Sequence, residues 1–91
     1  MPDTRPPTMR AAFAQAVENL RLGYPLRHEL YLSRLTPVSY AAGVLTVAAP
    51  DPRVRDLCAL RLNRLLTNEL AYTAGRPVAI NYVLQQDGAS C

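Results

Sequence analysis

The sequence predicts a small α+β protein in which two helices precede a β-hairpin, a long helix and a last strand, the order ααββαβ. Apolar residues recur at helical spacing near the N-terminus and again after residue 51, whereas three shorter segments are typical of strands. Ninety-one residues, 49% of them hydrophobic, suffice for one domain with a modest core. We expect the helices to cover one face of a three-stranded mixed sheet.

Two N-terminal helices are predicted from a capping residue, a proline and apolar spacing. Thr8 suits the N-cap of a helix that we expect to end just before Gly23. Pro25 suits the first position of a shorter helix that reaches about Arg34. The apolar stripe of the first helix, at i, i+3, i+4 and i+7, contains Phe13, Ala16, Val17 and Leu20.

A β-hairpin is predicted over residues 36–40 and 44–49, with the turn around Gly43. Pro37 has no amide proton to donate, so the first strand is expected at an edge of the sheet or to start late. The residues of the second strand that share one face are Leu45, Val47 and Ala49.

A long helix and a last strand complete the fold. Asp51 followed by Pro52 is a strong helix start, because the carboxylate accepts free amide protons and the proline needs none. The helix is expected to run to about Ala74 and to stop at Gly75, and a strand over residues 77–84 should return parallel to a hairpin strand. The apolar sector of this helix contains Val54, Cys58, Leu62, Leu65 and Leu66.

The ends of the chain are expected to lie outside the folded domain. Residues 1–7 carry three prolines and predict a disordered leader, residues 8–84 form the domain, and the polar residues 85–91 predict a flexible tail. The N-terminus lacks the apolar stretch of a secretory signal, and no segment reaches the length of a membrane span. We therefore expect a cytoplasmic protein that binds no membrane.

Residue types that carry catalysis are sparse. His28 is the single histidine, and it has no recognisable serine or cysteine partner. Cys58 and Cys91 form no metal-ligand pattern, the seven carboxylates form no compact cluster, and the four glycines make no phosphate-binding loop. We therefore expect a protein that is not an enzyme and uses no cofactor and no metal.

The basic residues are unusual because all ten are arginine and none is lysine. Arg53, Arg61 and Arg64 fall on one side of the predicted long helix, and Arg53 opposes the helix dipole at its start. Three interpretations remain open. This side can be a solvated face whose charge Asp51 and Asp56 offset, a protein-binding face, or a face that contacts nucleic-acid phosphates.

Several segments of the sequence resemble those of a known protein family. The string GVLTVAAPDPRVRDL, residues 43–57, followed by a leucine-rich helix and Gly-Arg-Pro-Val at residues 75–78, resembles the N-terminal domain (domain I) of the bacterial replication initiator DnaA. The segment Tyr-Leu-Ser-Arg-Leu at residues 31–35 is similar to a segment that follows the short second helix in that family. The resemblance extends from about Thr8 to Leu84.

The resemblance implies a KH-like fold and a non-enzymatic interaction module in DNA replication initiation. Family members dock the replicative helicase and regulatory partners, self-associate weakly, and in some cases contact single-stranded DNA. Arg53 stands where the family usually has an aromatic residue, and Arg27 stands near a usual acidic position. Both changes favour a different and more acidic partner at this site than the family's usual one. The resemblance as a whole implies that the partner is a replicative helicase, a DnaA-type initiator or a replication regulator.

The expected partner-binding residues are Arg27, His28, Tyr31, Arg53, Arg61 and Arg64. Phe13 and Leu22 are the expected residues of a homodimer contact. The alternative is a small KH-like nucleic-acid binder that uses the same arginines on phosphates, although without a GxxG loop it would lack the usual backbone clamp. Because an initiator's ATPase and DNA-binding modules are missing, we expect a stand-alone relative or a piece of a longer initiator.

Overall fold

The chain folds into a three-stranded sheet with helices packed on one face. The structure is a computed structural model, and it describes residues 8–85. The predicted ααββαβ order is confirmed. The leader predicted at residues 1–7 and residues 86–91 of the predicted tail lie outside the described residues. The elements are α1 (Met9–Gly23), α2 (Pro25–Leu30), β1 (Thr36–Ala41), β2 (Val44–Ala49), α3 (residues 52–74) and β3 (Ala79–Leu84).

Both predicted N-caps are confirmed. The Thr8 hydroxyl accepts a hydrogen bond from the Ala11 amide at 3.1 Å. The Asp51 carboxylate accepts one from the Val54 amide at 2.9 Å, with Pro52 as the first residue of α3. Each cap satisfies an amide that has no partner within its own helix.

The junction between the first two helices differs from the prediction. Gly23 is the last residue of α1 rather than the residue after it, and its φ is not positive. Tyr24 caps α1, and its amide donates to the Leu20 carbonyl at 2.7 Å. The second helix is also shorter than predicted, because α2 ends at Leu30 and a 3-10 turn (Leu32–Arg34) follows.

The sheet has the strand order β1-β2-β3, with β1 antiparallel and β3 parallel to β2. The β1–β2 turn requires left-handed backbone at Ala42 (φ 52°) and Gly43 (φ 78°), the pattern of a tight hairpin turn. Pro37 lies in an edge strand as predicted, next to an irregularity in the register between Pro37 and Ser39. The last strand starts at Ala79, two residues later than predicted.

The core lies between the sheet and the helices. The buried residues of β2 include the predicted Leu45, Val47 and Ala49. Two polar contacts fix α1 against α3: Thr73 donates to the Ala12 carbonyl, and Asn19 donates to the Glu69 carboxylate, both at 2.9 Å. No helix within residues 8–85 is both long and apolar enough to cross a membrane.

The long helix α3 contains a wide turn that the sequence does not reveal. A π-helical turn (Cys58–Leu62) separates the regular stretches Pro52–Leu57 and Asn63–Ala74, and Gly75 ends the helix in the left-handed conformation as predicted (φ 75°). On a regular helix, residues spaced by four lie about 40° further around the axis at each step, so such a set gradually turns away from the core. The π turn has more residues per turn and rotates the set back toward the core. The residues thereby kept against the core are Val54, Cys58, Leu62, Leu66 and Leu70.

Replacing Asp51 by alanine is expected to lower the free energy of unfolding by about 1 kcal/mol, because the first turn of α3 loses its cap. Asp51→Asn is the matched control, since an amide oxygen also caps and should preserve most of the stability. Urea unfolding of the three proteins measures the difference. Equal losses in the two variants would show that the carboxylate acts through its charge rather than as a cap.

Candidate functional site

A groove between α2 and the first half of α3 has a volume of about 410 Å³. The α2 side contributes Arg27 and the two tyrosines that flank this helix, Tyr24 and Tyr31. The α3 side contributes Leu57, Arg61, Leu62 and Leu65. The groove therefore has an apolar floor and one arginine on each wall.

Spacing along the two helices explains why these residues meet. Tyr24, Arg27 and Tyr31 are three and four positions apart, so they share the side of α2 that faces α3. On α3, Leu57, Arg61 and Leu65 follow each other at intervals of four. Arg61 lies within the π turn, whose extra width lets consecutive residues 61 and 62 both line the groove.

The groove is positively charged. Within residues 8–85, ion pairs join Glu18 to Arg21 and Arg55 to Asp56, and neither Arg27 nor Arg61 has a carboxylate partner there. The Arg27 guanidinium instead lies over the Tyr24 ring, 5.5 Å from its centroid. This cation–π contact orients the guanidinium without neutralising it, so the charge remains available to an anion.

The structure brings together three of the six predicted partner-binding residues: Arg27, Tyr31 and Arg61. His28 instead lines a separate hollow on the α1 side of α2, together with Glu18. Arg53 and Arg64 are exposed on α3 but do not line the groove.

Four of the groove residues were not predicted as contacts from the sequence: Tyr24, Leu57, Leu62 and Leu65. Leu65 was assigned to the buried sector of the long helix, but it is only half-buried, and Leu57 is half-buried beside it. Tyr24 lies between Gly23 and Pro25, the residues from which the junction between the two helices was predicted, and it was given no role. An aromatic residue directly before a helix-starting proline was the one signal that could have drawn attention to it.

Arg53, whose charge Asp51 and Asp56 were expected to offset, forms no direct ion pair with either carboxylate. The Asp56 carboxylate accepts from Arg55 Nε at 3.0 Å, and Asp51 is engaged as the N-cap. Arg53 is exposed in the first turn and has no ion pair with residues 8–85. Its unfavourable position relative to the helix dipole is relieved by solvent and by the negative charge of the Asp51 cap at the same helix start.

The two predicted self-association residues have opposite environments. Phe13 is 3% exposed and forms part of the core, so its place in a homodimer contact is wrong: its ring already packs inside the fold. Leu22 is 73% exposed near the end of α1 and stays a candidate contact residue.

Cys58 has the properties of a core residue. Its side chain is fully buried, and burial raises the pKa of the thiol to about 11. An activated cysteine has the opposite shift, toward the thiolate. Burial also raises the pKa of the Tyr82 hydroxyl, which donates to the Asn63 side chain at 3.0 Å. Within residues 8–85, no group of three or more His, Cys, Asp or Glu side chains is arranged to hold a metal ion.

A comparison with models of known protein families finds no match, and neither does a search of curated proteins.

Replacing Cys58 by alanine is expected to reduce the loss of stability at alkaline pH. The folded chain raises the pKa of this thiol from 9.0 to about 11, so the folded state binds its proton more tightly than the unfolded state does. The resulting stabilisation is full below pH 9 and is lost as the pH rises from 9 to 11. Urea unfolding between pH 8 and 11 should show a steeper fall for the wild type than for Cys58→Ala. Parallel curves would contradict the buried thiol.

Proposed function

We propose that the protein is a non-enzymatic interaction module that docks an acidic, amphipathic segment of a partner protein in the groove between α2 and α3. The observation that carries this proposal is the pair of arginines, Arg27 and Arg61, on opposite walls of an apolar floor. Neither has a carboxylate partner within residues 8–85. A partner that supplies both apolar side chains and carboxylates complements the groove in shape and in charge.

A helix is the form of partner that suits the groove best. An amphipathic helix can lay its apolar face into a hydrophobic groove, and the floor between α2 and α3 is lined by Leu57, Leu62 and Leu65. Leu57 and Leu65 are half-buried at the groove and would become buried on docking. Tyr31 would add aromatic contact area, which is often prominent among the residues that dominate binding energy.

The biological setting of the proposal rests on the resemblance to domain I of DnaA. The observed ααββαβ order agrees with that resemblance. We accordingly place the module in the cytoplasm and in the initiation of DNA replication or its regulation. The partner would be a replicative helicase, a DnaA-type initiator or a regulator that carries an acidic segment.

The test is binding of the purified chain to the helicase and the initiator of the same organism, measured by biolayer interferometry. The double variant Arg27→Ala, Arg61→Ala should weaken binding about tenfold or more, because charged hydrogen bonds contribute about 1.5–3 kcal/mol each. Both arginines are exposed or groove-facing, so the melting temperature should change little.

The matched control removes two positive charges elsewhere. Arg10 and Arg34 are exposed and do not line the groove, so Arg10→Ala, Arg34→Ala should leave the affinity within about twofold, since exposed charges at a distance are largely screened. Equal weakening by the two double variants would mean that net charge, rather than the groove, determines binding. Unchanged binding by the groove variant would contradict the proposal.

A nucleic-acid function is favoured by a second surface, which shares Arg61 with the groove. The solvent side of α3 carries Arg61, Arg64 and Asn68, followed by Tyr72, whose side chain is 81% exposed. A row of arginine and asparagine side chains that ends in an exposed aromatic ring suits the phosphates and bases of single-stranded nucleic acid.

Salt dependence distinguishes this second function from the first. If the single strand binds here, Arg64→Ala should reduce the slope of log affinity against log salt by about 0.7, while Arg27→Ala should leave it unchanged. Fluorescence anisotropy with a labelled oligothymidine measures both slopes. Equal slopes for Arg64→Ala and the wild type would contradict the binding of single-stranded nucleic acid on the solvent side of α3.

A further inference from the structure

The two edges of the sheet are protected to different degrees. The β1 edge carries Pro37 and a register irregularity, two features that prevent another strand from pairing. The β3 edge, with the sequence AINYVL over residues 79–84, contains no proline, no charge and no irregularity in its register with β2. It is therefore the edge that can accept a further strand.

The backbone groups on the open edge can be assigned from the ladder on the other side. Ala79 donates to the Gly43 carbonyl and Gln85 to the Ala49 carbonyl, so the odd-numbered residues of β3 bond to β2. Successive residues of a strand direct their amide and carbonyl groups to opposite sides. Hence Ile80, Tyr82 and Leu84 direct theirs away from the sheet, and these groups have no backbone partner within residues 8–85.

This set of free groups is self-complementary. An antiparallel copy of β3 with a two-fold axis at Tyr82 pairs Tyr82 with itself and Ile80 with Leu84, so that all three residues become hydrogen-bonded pairs, each exchanging two bonds. A two-fold axis at Asn81 or Val83 would pair the outward backbone groups of only two of these three residues. The Tyr82 register thus leaves none of these outward groups unpaired.

The side chains and the local charge are compatible with the register centred on Tyr82. On the helix-covered face, Ile80 meets Leu84, a favourable apolar cross-strand pair. Beside the strand is a hollow of about 310 Å³ whose charged lining residues are Arg55 and Asp56, bonded to each other at 3.0 Å. Two copies therefore present no net charge to each other here, in a chain of net charge +3.

We propose that a second copy of this chain pairs along the β3 edge, antiparallel and two-fold symmetric about Tyr82, to form one continuous six-stranded sheet. The contact is confined to a strand edge and its flanking helices, so it is small and depends on protein concentration. It leaves the groove between α2 and α3 free, and it is independent of the proposed docking function. A symmetric contact of this kind is the commonest route to a homodimer.

Amide hydrogen exchange measured by NMR at several protein concentrations tests the assignment residue by residue. The amides of Ile80, Tyr82 and Leu84 should exchange more slowly as the concentration rises. The amides of Asn81 and Val83 already bond to β2 and should not change. Sedimentation equilibrium on the same samples should show the mass rising from 10.0 kDa toward twice that value.

Two variants separate this edge from any other contact. Leu84→Pro removes an outward amide that β2 does not use, so the fold should persist while self-association weakens about tenfold or more, equivalent to about 1.4 kcal/mol. Asn81→Lys adds an edge charge and should act in the same direction, whereas Ser39→Lys, on the exposed β1 edge, should not. A monomer at every concentration, or a dimer in which the exchange of the three amides is unchanged, would overturn the proposal.

Discussion

The packing of α3 against the sheet and α1 is the interaction on which the rest of the structure depends. Leu66 and Leu70 are fully buried along it, and α3 is also the connection that carries the chain from β2 to β3. A crossover of this kind returns the chain parallel to the strand that it left. The hydrogen bond from Tyr82 to Asn63 then joins β3 to α3 just after the π turn. Because α3 is held on its inner side, its outer side is free to carry contacts.

The π turn links this packing to the groove. Without it, a buried row spaced by four would rotate away from the core along the helix. With it, Leu62 stays buried while Arg61, its neighbour in sequence, stays exposed at the groove. The second wall is supplied by α2, a helix of six residues with no buried side chain. A helix that contributes nothing fully buried to the core is well placed to serve a surface role.

Local signals predicted most of the fold, because caps, prolines and alternation act within a few residues. Asp51, Pro52 and Gly75 defined the bounds of α3, and the tight turn at Gly43 defined the hairpin. The π turn was missed because a regular helix of the same composition satisfies the same short-range pattern. The groove was predicted in part, since it depends on which side of α2 meets α3, a tertiary contact that placed Arg27 inside it and His28 outside.

Site-specific photocrosslinking in living cells tests the central claim, that the groove between α2 and α3 is the surface that meets a partner. A photoreactive phenylalanine analogue replaces Tyr31 in the groove in one strain and the exposed Tyr72 outside it in another. The account predicts a crosslink from position 31 to an acidic segment of a replication protein and none to that protein from position 72. A replication protein crosslinked only from position 72 would contradict it and place the contact on the outer side of α3.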